Sequence, residues 1–140
     1  MKVLYFTRGQ TPHDLRFTKA LAETSHKVFV LCLDADQHRK WPVGVYEVAW
    51  QGINMRQGWL AARAQLGRLR TVFETLKPDL VHAGPIQSAA WLTALAGFHP
   101  LVSMSWGSDL MFEAGRSEAA RRITRFTLAH SDVLVGDCAC

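Results

Sequence analysis

A few short clusters in this sequence carry side chains able to bind a ligand or move a proton. Trp106, Gly107, Ser108 and Asp109 form the densest. A carboxylate there can accept hydrogen bonds from ligand hydroxyls, an indole can stack on an apolar ring face, and glycine permits close backbone approach. The same residues also read as a helix start, with Ser108 as the cap, Asp109 favoured by the helix dipole and Trp106 packed. His82 is a second candidate, because imidazole can hydrogen-bond a hydroxyl or a phosphate near neutral pH. A buried histidine satisfied by backbone is the alternative. Arg8, Gly9 and Gln10, followed by His13 and Asp14, form a third cluster. Here ligand contact at a cleft rim competes with a plain strand-to-helix turn in which Arg8 and His13 are solvated and Asp14 caps the helix. Cys138 and Cys140 with His130 make poor zinc chemistry, since the spacing is tight and a fourth ligand is missing, so no structural metal is expected.

The elements that must position these residues follow from hydrophobic patterning. Short, nearly continuous apolar runs predict strands at Val3–Thr7, Lys27–Leu33, Val45–Trp50, Asp79–His82, Leu101–Ser105 and Asp132–Val135. Thr11, Pro12 and Asp14 give a helix start with a capping box, and that helix is expected to run to about Thr24. Trp59, Ala62, Leu66, Leu69, Phe73 and Leu76 recur every three or four residues and predict one amphipathic helix, stopped by Lys77-Pro78. Gln87–Ala96 is apolar all round and predicts a buried helix ended by Gly97, while Ser117 is expected to cap the last helix. Strand–helix alternation of this kind predicts an α/β fold, a Rossmann-like three-layer sandwich with a central, mostly parallel sheet. Ligands of such sheets bind beyond the carboxyl ends of the strands, which is where every cluster above falls.

The chain has 140 residues, 49% hydrophobic and 20% charged, which suits one globular domain and excludes disorder, collagen and coiled coil. No apolar run is long enough for a membrane span, and the apolar run before Arg8 is too short for a signal peptide. The net charge is +4 with a pI near 9.3, a mild excess that suits anionic partners without selecting one. Three cysteines, an odd count without framework spacing, point to a reducing compartment and hence to the cytoplasm. Arg56, Arg63, Arg68 and Arg70, with Arg116, Arg121, Arg122 and Arg125, flank two helices; a solvated helix face is favoured over an anionic membrane contact. No motif supports nucleic-acid binding. The sequence stops straight after the sixth strand without a closing helix, which predicts that residues 1–140 are one half of something larger.

Three stretches carry a family resemblance: TPHDLRFTKALAETSHKVFVL, KPDLVHAGPIQSAAWLTAL, and LVSMSWGSDLM together with SDVLVGD. In their order and spacing they resemble the N-terminal, acceptor-side domain of GT-B glycosyltransferases of the retaining family four. The resemblance covers essentially the whole chain. It implies a second, C-terminal domain that carries a Glu-x7-Glu motif and holds most of a nucleoside-diphosphate-sugar donor. It also implies a sugar or lipid-linked hydroxyl acceptor, with no cofactor beyond the donor substrate. By this resemblance Gly9 and Gln10 approach the donor diphosphate, while His13, His82, Trp106, Gly107, Ser108 and Asp109 line the acceptor cleft. Many members carry histidine where Trp106 stands, and tryptophan donates but cannot accept, so that donor contact differs here. Catalytic residues are not assigned, because the donor phosphate can take the acceptor proton in retaining chemistry. Some relatives dock a basic face on membrane, which places the protein in the cytoplasm or at the inner membrane face.

On this reading the chain alone neither holds donor tightly nor turns over. Two rivals differ in what they require. A self-sufficient flavodoxin-like module would bind a phosphate-bearing ligand or a protein partner without a second domain. A nucleotide-sugar epimerase half would share the two-domain plan, but the Trp106–Asp109 segment fits it less well.

Overall fold

The computed structural model describes residues 1–34 and 39–136. Val3 to Phe6 of β1 (Lys2–Thr7) are all buried, as expected of a strand covered on both faces. β1 is joined on one side by β2 (Lys27–Cys32) and β3 (Val45–Glu47), and on the other by β4 (Leu80–Ala83), β5 (Leu101–Ser105) and β6 (Val133–Gly136). The six-stranded sheet runs in the order β3-β2-β1-β4-β5-β6, and every neighbouring pair is parallel. The chain winds outward from β1 to β3, then returns to the middle and winds the other way from β4. The order therefore reverses between β1 and β4, where sheets of this type leave a crevice.

Side chains alternate across the sheet and build two cores. Tyr5, Val30, Cys32 and Met104 pack under Phe17 and Leu21 of α1 (Pro12–Ala22). Leu4, Phe6, Leu31, Val81 and Ala83 pack on the opposite face with residues from the later helices, including Leu69 and Leu92. The three layers anticipated from patterning are present, and the central sheet is parallel throughout.

Helix boundaries show where local chemistry prevails over periodicity. The stripe from Trp59 to Leu76 is interrupted at Gln65, which separates α2 (Trp59–Ala64) from α3 (Leu66–Leu76). The Gln65 amide group donates to the Ala61 carbonyl at 3.1 Å, taking the acceptor that the Gln65 backbone N–H would use in a continuous helix. That N–H bonds Ala62 O instead, at 3.1 Å. Gln65 Oε1 meanwhile accepts the Asn54 backbone N–H at 3.2 Å, tying the preceding loop to the break. The third strand is shorter than expected: after Glu47 the Val48 N–H still reaches Val30 O at 2.8 Å, but regular pairing stops there. The helix after β4 begins at Ile86, and its first turn is π-helical through Ala90 before α4 (Trp91–Ala96). Ser117 caps α6 (Glu118–Ala129) by accepting the Ala120 N–H at 3.0 Å. Ser108 is not a cap. It is the first residue of α5 (Ser108–Met111), and Gly107 occupies the cap position with φ 85°. Only glycine adopts that conformation freely, so the chain reverses there without help from a serine side chain.

Candidate functional site

The carboxyl ends of β1, β4 and β5 meet at one cavity of about 610 Å³. Arg8 comes from the loop after β1, Pro85, Gln87 and Ser88 from the segment after β4, and Trp106, Ser108 and Asp109 from the segment after β5. Met55, Gly58 and Trp59 close one side, and Glu113 and Arg116 another. A second cavity of about 250 Å³ lies toward β2 and is lined by Arg8, Gly9, Gln10, Thr11, Asp34, Arg39 and Trp106. Arg8 and Trp106 line both. A further, mostly apolar cavity of about 450 Å³ lies along Val48–Gln51 and α3, away from these loops.

Asp109 fastens the two loops that form the larger cavity. Its Oδ1 accepts from Ser105 Oγ at 2.7 Å, Trp106 N–H at 3.0 Å and Leu110 N–H at 3.1 Å. Its Oδ2 accepts the Ile86 N–H at 3.0 Å, across from the loop after β4. The residue is buried, so its charge is balanced by donors from the protein itself. Gln87 adds a second strut, donating to Asp109 O at 2.8 Å and to Thr124 Oγ1 of α6 at 2.9 Å.

The β1 loop is equally well anchored. Thr11 and Asp14 form a capping box, and Asp14 Oδ1 also accepts the Tyr5 hydroxyl at 3.0 Å. Asp14 is fully buried, which bears out its structural reading. His13, one residue earlier, stacks against Trp106 with ring centroids 6.4 Å apart. Among the described residues a Cβ at Gly9 would meet only Asp34 Oδ2, at an ordinary contact distance of 3.7 Å. Gly84 is different: a Cβ would lie 2.6 Å from Met104 O, and only glycine lets the strand ends come this close.

His82 lies on the α1 face of β4, where its ring meets Tyr5 at 5.2 Å and Phe17 at 6.1 Å edge-on. It does not line either cavity of the strand-end loops. Burial pushes its pKa down to about 4, so the ring is neutral near pH 7, and its Nε2 has no hydrogen-bond partner among the described residues. It is neither backbone-satisfied nor in the cavity. Cys32 is buried on the same face, and burial raises its thiol pKa to about 12.

Other buried polar atoms lack partners among the described residues. Ser88 Oγ and Trp106 Nε1 are buried without a hydrogen bond among the described residues, and both residues line the larger cavity. The Arg39 side chain is only 3% exposed, pairs with Glu47 at 3.0 Å and donates to the Asp34 carbonyl, yet its Nε has no partner among the described residues. Sequence reading did not single out Ser88, Arg39 or Asp34. Ser88 sits in an apolar run, and nothing in residue type marks a hydroxyl that the fold will leave unpaired. Among the surface arginines, Arg116 pairs with Glu113, and Arg121 and Arg122 with Glu118. Among the described residues no group of three or more His, Cys, Asp or Glu could hold a metal ion. Cys138 and Cys140 lie outside the described residues, and His130 Nδ1 is bonded to Phe126 O at 2.8 Å.

The sheet order, the reversal between β1 and β4 and the cavity at the strand ends define a Rossmann-like α/β domain. The chain belongs to the glycosyl transferase 4-like family, whose model matches residues 2–137. Among solved structures it is similar to the Bordetella bronchiseptica enzyme WbmH in complex with NAD+, at 14% identity and a TM-score of 0.54, over 96% of this chain and 54% of that one. It is also similar to UDP-GlcNAc 2-epimerase from Neisseria meningitidis bound to UDP-GlcNAc, at 20% identity and a TM-score of 0.53, over 97% and 46%. The oxidoreductase ylbE from Lactococcus lactis matches at 12% identity and a TM-score of 0.50, over 97% and 67%. At these identities the likeness is one of fold. The chain spans about half the length of the first two proteins. No curated protein sequence matches it.

Proposed function

We propose that this chain is the acceptor-side domain of a glycosyltransferase that moves a sugar from a nucleoside-diphosphate-sugar to a hydroxyl acceptor. The observation that carries the reading is the cavity of about 610 Å³ at the switch point, walled by the loops after β1, β4 and β5. Family membership supplies the reaction class. Trp106 offers a ring face to the acceptor, with His13 stacked behind it. Gly107, Ser108 and Asp109 shape the same wall, with Asp109 holding the loops rather than offering a free oxygen. Gly9 and Gln10 face the donor diphosphate from the smaller cavity. His82 packs against Tyr5 and Phe17 on the α1 face and lines neither cavity. A second domain holds most of the donor, and the domain described here is inactive without it. The acceptor is a sugar or a lipid-linked sugar, and no cofactor is required. No helix among the described residues is long and apolar enough to cross a membrane. The reading places the protein in the cytoplasm, with contact at the inner membrane face if the acceptor is lipid-linked.

The test is transfer by the full-length protein. A panel of nucleoside-diphosphate-sugars is offered with mixed acceptors, and nucleoside diphosphate release and acceptor mass gain are measured together. Release coupled to a mass gain of one hexose or related sugar supports the reading. Interconversion of the donor sugar without transfer supports an epimerase instead. Tight ligand binding by residues 1–140 alone, with no transfer by the longer protein, supports a self-sufficient binding module.

A further inference from the structure

The apolar cavity of about 450 Å³ between Val48–Gln51 and α3 has no part in the transfer reaction proposed above. It forms where β3 gives out. Regular pairing with β2 stops at Glu47, a last bond runs from Val48 N–H to Val30 O at 2.8 Å, and the chain then passes α3 outside the sheet. Val48 and Trp50 wall the gap on one side, Val72 and Leu76 on the other. The Trp50 indole N–H already donates to Cys32 O at 2.6 Å, so this residue offers the groove carbon surface. Arg68, Val72, Thr75 and Leu76 recur at helical spacing and share one face of α3. Arg68 is the one charged residue among the described residues that line the groove, and Glu74 of the same helix does not line it. A guanidinium carries five N–H donors. Arg68 Nη1 gives its two to neutral acceptors, Gly52 O at 3.2 Å and Gln65 Oε1 at 3.1 Å. These bonds fix the head beside the break between α2 and α3. Nε and Nη2 make no bond, and Arg68 has no ion pair, among the described residues. The Nε–H and the adjacent Nη2–H are parallel, and that edge of the fork is the one a carboxylate fills with both oxygens.

We infer that this groove is a binding site for a small amphipathic carboxylate: an unbranched acyl chain lies against Val48, Trp50, Val72 and Leu76, and its carboxylate sits on the Nε–Nη2 edge of Arg68. The volume falls among those of small-molecule sites. Arg68 and Leu76 are about 12 Å apart along the helix axis at 1.5 Å per residue, a span that an extended chain of about ten carbons matches. A groove this short does not offer the roughly 800 Å² per partner of a stable protein interface, so the occupant is a small molecule. Apolar walls favour the chain by removing it from water. The lone cation without a carboxylate in the lining sets the sign of the head group, and the free fork edge sets its shape. The site lies apart from the strand-end cavities and stands whether or not the protein transfers sugar.

The experiment is calorimetric titration of the full-length protein with decanoate, below the concentration at which it forms micelles. Acetate supplies the charge without the chain, and 1-decanol the chain without the charge. The expected result is saturable binding of decanoate, no binding of acetate at the same concentrations, and decanol at least about tenfold weaker, as for loss of hydrogen bonds to a charged group. Arg68→Gln is expected to weaken decanoate about tenfold or more while leaving decanol unchanged. Arg68→Lys keeps the charge without the fork and is expected to fall between Arg68→Gln and the parent. Thr75→Trp places a ring in the groove and is expected to abolish binding of both decanoate and decanol. Thr75 is exposed and its hydroxyl makes no bond among the described residues, so that variant is expected to keep its melting temperature. Arg68→Gln gives up the bonds to Gly52 and Gln65, so its melting temperature is measured in parallel. Absence of saturable decanoate binding overturns the inference. So does equal affinity for decanoate and decanol, which would mark a plain apolar patch. Decanoate affinity unchanged in folded Thr75→Trp or in folded Arg68→Gln places the ligand elsewhere and overturns it too.

Discussion

The Asp109 carboxylate accepts the Ile86 backbone N–H at 3.0 Å, joining the loop after β5 to the loop after β4. Its other oxygen holds its own loop through Ser105, Trp106 and Leu110. One buried side chain thus sets the separation of two walls of the cavity. Asp109→Ala leaves the Ile86 and Trp106 N–H groups and the Ser105 hydroxyl without an acceptor. The expected loss is on the order of 3 kcal/mol, since each stranded buried donor costs about 1–3 kcal/mol and the loops relax in part. Chemical denaturation measures it. Asp109→Asn keeps one acceptor oxygen and is expected to lose less than Asp109→Ala. Equal stability of Asp109→Ala and the parent protein would remove the strut from this account.

Gly84 is the residue that sets how closely β4's end approaches β5. A Cβ there would lie 2.6 Å from Met104 O and 3.3 Å from Met104 Cβ. The obstacle is backbone, which cannot rotate away. Gly84→Ala is expected to destabilise the chain by about 1–3 kcal/mol, the range for overpacking a close contact. Thermal melting decides it, and a melting temperature at or above that of the parent counts against the reading.

His82 gives the protein a defined acid sensitivity. Its folded pKa is lowered from 6.5 to about 4 by burial, so the unfolded chain binds the proton more readily. Stability from keeping this ring neutral is fully present above pH 6.5 and is lost as pH falls through the window toward 4. His82→Phe removes the titrating group while keeping a ring beside Tyr5 and Phe17. Unfolding free energy measured from pH 7 to pH 4 is expected to fall less steeply in that variant. Identical slopes would show that His82 carries no part of the acid response.

The start of α1 rests on the Thr11–Asp14 box. Thr11→Ala removes the side chain that receives the Asp14 N–H and is expected to cost about 1 kcal/mol. Because this turn also borders the smaller cavity, the variant tests whether ligand affinity depends on the turn's rigidity. Equilibrium denaturation and a parallel pyrophosphate titration separate the two effects.

Much of the architecture was legible in the residues. Short apolar runs at β1, β2, β4, β5 and β6 and the capping signals at Thr11 and Ser117 mark elements that the structure contains. The misreadings share one cause. Periodicity predicts a single helix from Trp59 to Leu76, but the Gln65 side chain reaches back to Ala61 O and ends the first helix early. Ser108 has the right residue type for a cap, yet Gly107 takes the turn and Ser105 accepts its N–H at 3.1 Å. Which of several neighbouring polar groups wins a backbone donor depends on distances that residue type does not carry.

The sequence by itself determined the alternation of strands and helices, and hence a doubly wound sheet whose loops at the strand ends would carry the site. Local propensity and hydrophobic period are sufficient for that, because they act within a few residues. The tertiary structure alone decided which of those loop residues face the cavity and which hold it together. It put Asp109 under four donors from the protein and left Ser88 Oγ with no partner among the described residues. It also turned His82 to the α1 face and brought Arg8 and Trp106, 98 positions apart, to the same two cavities. Hydrogen-bond satisfaction is settled among groups distant in sequence, so an unpaired polar atom becomes visible only once the sheet has assembled.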